Sequence, residues 1–270
     1  MDEKTLEKIM AEVTKKLSAM DSPAPTDRKI YKEDVPMAAN KKGVTEFVGT
    51  AKGDTIGLVI ANIDPSVLEH MNVEKKYKSL GILGARTGAG PQILAADEAV
   101  KATNTEIVSI ELPRDTKGGA GHGSLIIFGA DDVSDCRRAI QVALREVEEK
   151  TFGDVYANDA GHIELQYTAR ASFAINKVWG APIGKAFGLL VGAPAAIGVV
   201  MADTAVKAAN IEVLTYASPQ HGNSLTNEVV LTFSGDSGAV RQAVLAAKDI
   251  GKSLLECMAG EAVSSSPSYI

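Results

Sequence analysis

Gly235-Asp236-Ser237-Gly238 carries the residue types of a serine-hydrolase nucleophile segment: a hydroxyl beside an acid, set among glycines. A nucleophile needs a base, and the base needs an orienting group. The four histidines, His70, His122, His162 and His221, stand in no recognisable base context. The segment also opens a predicted helix, where Asp236 or Ser237 can accept a bond from an unpaired backbone N–H as an N-cap. An internal copy of the stretch settles the choice. It keeps the acid as Asp132 and places Val133 where the serine would be. The capping acid is repeated and the would-be nucleophile is not, so the chain is read as a non-enzyme with no catalytic residue.

Gly84-Ala85-Arg86-Thr87-Gly88-Ala89-Gly90 has the look of a phosphate cradle. It lacks a Gly-Lys-Ser/Thr ending and the glycine spacing of a dinucleotide fold. Its internal counterpart, Val191-Gly192-Ala193-Pro194-Ala195, carries no charge. It is therefore read as a strand-to-helix turn in which Arg86 and Thr87 are the asymmetric, special part. A second pair of polar loops, Lys117–Gly123 and Ser218–Ser224, each carries one histidine. No carboxylate or thiolate stands at ligand spacing from either, so no metal and no cofactor is assigned. Two loops of one form, repeated, suit a ring of small polar groups about an axis.

These segments sit in a duplicated chain. Ala95–Pro113 and Met201–Pro219 are identical at nine of 19 positions, and Asp97, Lys101, Asn104 and Glu106 recur as Asp203, Lys207, Asn210 and Glu212. Ile56–Ile60 is set against Ile163–Tyr167, and Asp132–Arg137 against Asp236–Arg241, at offsets of 107 and 104 residues. Two similar domains in pseudo-twofold relation follow, with symmetric assembly as their natural use. Each copy reads as strand (Thr55–Asn62; His162–Thr168), short helix (Pro65–Met71; Ala171–Val178) and strand (Leu80–Ala85; Phe187–Val191). An Ala-rich helix (Pro91–Ala102; Ala196–Ala209) and two strands follow (Glu106–Leu112 and Ser124–Phe128; Glu212–Ala217 and Glu228–Phe233). A long helix closes each copy (Val133–Glu148; Ser237–Glu256). Without strict βα alternation, the expectation is an α+β fold with helices on antiparallel sheets.

The chain has 270 residues, 45% of them hydrophobic, with a net charge of −6. That fits ordinary domains and argues against a nucleic-acid binder, which needs a basic face. Two distant cysteines give no disulfide framework. The longest apolar stretch, near Phe187–Met201, is broken by glycine and proline and cannot span a membrane. Residues 1–20 carry an amphipathic helical stripe of Leu6, Ile9, Met10, Val13 and Leu17. Residues 21–45 read as a flexible linker, 46–150 and 151–260 as the two domains, and 261–270 as an unstructured tail.

Val206-Lys207-Ala208-Ala209-Asn210-Ile211-Glu212-Val213, followed by a strand, a polar loop and Gly235–Val240, resembles the signature of bacterial microcompartment shell domains; Val100–Asn104 is a looser copy. A strand that ends the standard domain comes first in each repeat. The whole resembles the tandem, circularly permuted, trimer-forming class, of the kind found in propanediol-utilisation microcompartments. Ile82–Pro91 and Ile163–Arg170 strengthen that likeness.

The resemblance implies a ferredoxin-like variant fold and a homotrimer shaped as a pseudohexamer. It implies tiling with other shell proteins through Lys101 and Lys207. It implies central-axis loops bearing Lys117, Gly119, Gly121, His122, Gln220, His221 and Asn223. It also implies a channel within each subunit, for a small diol such as 1,2-propanediol or glycerol, lined by Arg86, Thr87, Gly88, Tyr156, Asn158 and Asp159. In the ethanolamine-type relative acidic residues stand where this chain has Gly88 and Ala89. The N-terminal helix would tether the shell to encapsulated enzymes, in a microcompartment in the cytoplasm. The rivals are a small-molecule sensor built from duplicated domains, and a hydrolase using Ser237.

Overall fold

The computed structural model describes residues 45–113, 123–222 and 226–270. The predicted N-terminal helix and all but the last residue of the predicted linker lie outside the described residues. The first module runs β1 (Phe47–Ala51), β2 (Thr55–Ile60), α1 (Pro65–His70), β3 (Ser79–Ala85), α2 (Gly90–Lys101), β4 (Glu106–Glu111), β5 (Ser124–Ala130) and α3 (Val133–Glu146). A π turn, Val147–Thr151, continues α3. The second module repeats the order: β6 (Val155–Asn158), β7 (Gly161–Thr168), α4 (Phe173–Trp179), β8 (Ala186–Ala193), α5 (Ala195–Ala208), β9 (Ile211–Ala217), β10 (Val229–Gly235) and α6 (Ser237–Ala259). Each module builds one five-stranded sheet, ordered β1-β2-β3-β5-β4 and β6-β7-β8-β10-β9. Every neighbouring pair is antiparallel.

Helices α2 and α3 pack together over the first sheet, and α5 and α6 over the second. Helix α5 settles onto β8 at glycines. A Cβ on Gly192 would lie 2.5 Å from the Gly198 backbone, so only bare backbone fits there. Strand β8 is buried along its whole length. Its even positions, Ala186 and Leu190, join the cluster under α5 and α6. Its odd positions, Phe187, Leu189 and Val191, join a cluster with Ala174 and Ile175 of α4 and Ile93 and Leu94 of α2. The two modules thus share one apolar core, which explains why this strand reads as an uninterrupted hydrophobic run.

The strand ladders revise the register of the duplication. Leu80 pairs with Ile60, and its counterpart Phe187 pairs with Thr168. Strand β2 therefore matches β7 at an offset of 108, one residue beyond the sequence alignment. A one-residue slip exchanges the faces of a strand. Val59, not Ile60, is the counterpart of Tyr167.

Residues 261–270, expected to be unstructured, are held in place. Val263 bridges the edge strand β6 at Ala157. Ser264 donates to the Phe152 carbonyl at 3.2 Å, and Lys52 of the first module donates to Ser266 Oγ at 2.5 Å. Asp154 is buried and accepts from Ser268 Oγ (2.5 Å), the Tyr269 and Ile270 amides (2.8 and 3.0 Å) and Lys248 Nζ (2.8 Å). Burial pushes its carboxyl up, but Lys248 and the tail donors outweigh this and hold it below the ordinary aspartate value. Its stabilising contribution is therefore complete above that value of 3.8 and is lost as the pH falls below it. Asp154→Ala should cost about 2–3 kcal/mol, because it orphans several buried donors. Hydrogen exchange at Tyr269 and Ile270 checks this: their amides should lose protection in the variant.

Candidate functional site

A cavity of about 940 Å³ opens between the modules. The start of α2 and its preceding turn, Thr87–Pro91, form one wall; the β6–β7 hairpin, from Asn158 to Glu164, forms another. Val178, Trp179, Leu189 and Val191 supply an apolar side, and Leu214–Ala217 and Glu228 complete it. Trp179 stacks on Phe187 with ring centroids 5.1 Å apart, fixing that side as a rigid surface.

Of the residues expected to line a channel, Thr87, Gly88, Asn158 and Asp159 meet at this cavity, and Arg86 and Tyr156 do not line it. Arg86 is exposed. Tyr156 turns towards α6, with Lys248 and Lys252 ammonium groups 5.3 and 5.5 Å from its ring centroid. Asn158 has a structural task. Its amide donates to the Leu255 and Gly260 carbonyls (3.0 and 2.9 Å) and its oxygen accepts the Ala160 amide (3.0 Å). That closes the C-terminal end of α6, whose last carbonyls lack helical partners. Gly88 has φ +83°, a conformation that suits glycine.

The loop residues Lys117, Gly119, Gly121, His122 and Asn223 lie outside the described residues. Gln220 and His221 are exposed, and the His221 amide and carbonyl close a tight turn with Ser218.

The two repeated lysines differ. Lys207 is exposed and pairs with exposed Asp203 at 2.7 Å. Lys101 pairs at 2.9 Å with Asp97, whose side chain is 1% exposed. Asp97 Oδ1 and Oδ2 accept the Ser172 amide (3.1 and 3.0 Å), and Oδ1 also accepts the Ile175 amide (3.2 Å). An aspartate of the first module thus caps α4 of the second, where the N-cap residue Ser172 makes no side-chain bond of its own. Burial raises its carboxyl above the usual range, against the pull of Lys101 and these amides.

Asp132 caps α3 through the Ser134 amide at 2.7 Å, as the spacing predicts. Asp236 occupies the N-cap of α6 without a side-chain bond, and Ser237 does not cap either. The Ser237 hydroxyl instead bonds the Tyr167 phenol at 2.6 Å. The corresponding positions in the first module are Val59 and Val133, which carry no hydroxyl and belong to its apolar core. No imidazole of a described histidine is bonded to Ser237: His70 bonds the Ser66 carbonyl, His221 the Ser218 hydroxyl, and His162 faces Glu228 at 4.0 Å.

The cavity's ionisable groups escaped the sequence reading. Glu164 is 6% exposed, and burial, with Glu228 adding like charge, pushes its carboxyl up to about 8. Burial also raises Glu228 and lowers His162. Ile163-Glu164-Leu165-Gln166-Tyr167 alternates like a strand with one wet face. The first module covers that face, and strand alternation alone carries no signal of such a cover.

The family profile described as BMC domain matches residues 79–158 and 186–267. Each span opens at the third strand of its module, so the first two strands stand ahead of the point where the family order begins. The bacterial microcompartment shell protein PduB of Citrobacter freundii is 61% identical over 265 residues, 98% of each chain. The crystal structure of a trimeric bacterial microcompartment shell protein PduB superposes with a TM-score of 0.81 at 56% identity, covering 84% of this chain and 100% of that one. The structure of EtuB from Clostridium kluyveri gives a TM-score of 0.81 at 54% identity, covering 84% and 99%.

Proposed function

The chain belongs to the BMC-domain shell proteins of bacterial microcompartments, beside PduB, and on that premise we propose that three copies close into a six-module plate, that plates tile into the compartment wall, and that the cavity inside each chain passes a small neutral solute such as 1,2-propanediol or glycerol. The role is structural.

One observation carries the assembly. Ala95, Ala96 and Ala99 of α2 and their counterparts Met201, Ala202 and Ala205 of α5 are all buried. The neighbouring pairs diverge. Ile93 and Leu94 are 0% and 5% exposed, because the second module covers them; their counterparts Val199 and Val200 are 48% and 41% exposed. Val206, Val213 and Tyr216 extend the open stripe onto β9. The reciprocal face is open too. Ile175, the third residue of α4, is buried, while Val67, third in α1, is 45% exposed. The second module of one chain thus offers to the next chain the face that the first module already uses inside the chain. Such a head-to-tail contact builds a ring when its rotation closes.

In that plate Lys101 and Lys207 stand near the outer edge for lateral contacts. Gln220 and His221, on the turn after β9, stand near the axis. Residues 1–20 reach encapsulated enzymes. Electron microscopy of the purified chain tests the wall: extended sheets or tubes built from plates of three chains are expected. A discrete oligomer that never tiles would favour a ligand-binding module instead.

A further inference from the structure

The second module carries an apolar knob that the first lacks. Phe173, which opens α4, and Ile183, in the loop after it, are 62% and 53% exposed. Backbone bonds hold their two segments side by side. The Ala171 amide donates to the Lys185 carbonyl at 2.7 Å, and the Gly184 amide donates to the Ala171 carbonyl at 2.8 Å. The Asn176 side chain donates to the Ala181 carbonyl at 2.9 Å and pins the loop to α4. The knob is thus preformed, which spares a partner the cost of ordering it. The strand ladders place Pro65 and Lys76 at these two positions in the first module. Charge differs as well. Exposed Arg170, Lys177 and Lys185 flank the knob, and no acidic residue occurs between Glu164 and Asp203. The counterpart stretch, residues 63–78, sets Asp64, Glu69 and Glu74 against three lysines.

The knob stands beside Lys101. The Ser172 amide and Lys101 Nζ share one oxygen, Asp97 Oδ2, at 3.0 and 2.9 Å. On the reading of Lys101 and Lys207 as edge residues of a tiling plate, we propose that Phe173 and Ile183 anchor each plate to a second plate of the same chain, and that the knob edge meets the unlike edge, the one built by Lys207 and the next chain's α1. Two arguments select the unlike edge. Like edges would bring six cations together without an acid from either stretch, whereas the unlike edge offers the carboxylates of Asp64, Glu69 and Glu74. The second argument is geometric. A plate of three chains has two kinds of edge in alternation, so opposite edges are unlike. Plates repeated by translation, all facing one way, therefore join unlike edges on all six sides. Like pairing would require every neighbour to be turned by half a revolution, and three mutually touching plates cannot all be turned relative to one another.

The test measures, on the full-length chain, the lowest protein concentration at which sheets sediment. Phe173→Ser combined with Ile183→Ser should raise it by at least about tenfold, because two large apolar side chains no longer leave water at each contact. Light scattering should still return particles of three chains. Lys177→Glu combined with Lys185→Glu should raise it by about fivefold or more, by setting acid against acid at the unlike edge. Adding Glu69→Lys and Glu74→Lys to that variant restores opposite signs across the contact, and sheets should return to within about twofold of the wild-type concentration. All of these side chains except Glu74 and Lys75's partner Glu69 lie in the knob stretch, and all are exposed, so the fold should tolerate their replacement. Should the serine variant fail to fold, the charge exchange carries the test. Sheets unaffected by the serine pair would show that something other than a second plate covers the knob and would overturn the anchor. Failure of the exchanged charges to restore tiling would overturn the unlike pairing. Either result, with a wild type that forms sheets, leaves the wall standing, while a wild type that never tiles sinks the wall itself.

Discussion

Replacing Asp97 with alanine is expected to destabilise the fold by about 3 kcal/mol, whereas the same change at Asp203 should cost no more than about 0.5–1 kcal/mol. The two residues hold one position in the duplication and both pair with a lysine four residues on. They differ in what surrounds them. Removing Asp97 strands the Ser172 and Ile175 amides at the start of α4, inside the core that joins the modules. It removes the only side-chain cap that helix has among the described residues. Lost caps cost about 0.5–2 kcal/mol, and each orphaned buried donor adds about 1–3 kcal/mol, partly overlapping. Asp203 gives up one exposed ion pair. Helix α1 needs no help from a neighbour, because Asp64 caps it through the Ser66 amide at 2.8 Å. Thermal unfolding at fixed protein concentration should lower the Tm of Asp97→Ala by roughly 6–12 °C. Asp97→Asn keeps an acceptor and should fall between the two. Equal losses at 97 and 203 would refute the cap as the source of the difference.

The asymmetry between these two aspartates marks the limit of sequence reading here. The duplication, the order of helices and most strands are legible because hydrophobic period and turn chemistry are local properties. The edge strands Phe47–Ala51 and Val155–Asn158 are not, since each is short and, among the described residues, one side of each has no strand partner. The tail is illegible for another reason: Ser264–Ser268 is polar and gains order from Phe152, Asp154 and Lys52, each over a hundred residues away. Glu164 and Asp97 fail in the same manner. Each looks like a solvated residue on its own element, and each is buried by the other module. The channel positions Thr87, Gly88 and Asp159 meet because they occupy turns that face each other across the modules, and Asn158 joins them from the end of β6. Tyr156, inside a strand, points away from its neighbours along the chain, as period-two geometry requires.

Val199→Asp combined with Val206→Asp is expected to reduce the chain to monomers at concentrations where the wild type is fully assembled. The two valines are seven residues apart on α5, hence on one face, and are 48% and 46% exposed in the single chain. Folding of the chain should tolerate the change, because exposed helix positions respond by about 0.5 kcal/mol or less each. Association should not. In the plate these side chains enter the environment that Ile93 and Val100 occupy in the first module, packed against the shared core. Two uncompensated carboxylates there cost about 4 kcal/mol or more per interface, a factor of about a thousand in affinity. A ring holds three such interfaces, so loss at one is loss at all. Light scattering after size exclusion should move from three times the 28.3 kDa chain mass to that mass itself. Circular dichroism should report an unchanged helix content. Val67→Asp attacks the reciprocal face on α1 and should give the same monomer, which separates a broken contact from a broken fold. A double variant that still elutes as a trimer would show that the chains meet through some other surface, and the equivalence between the inner and outer faces of this duplication would have to be abandoned.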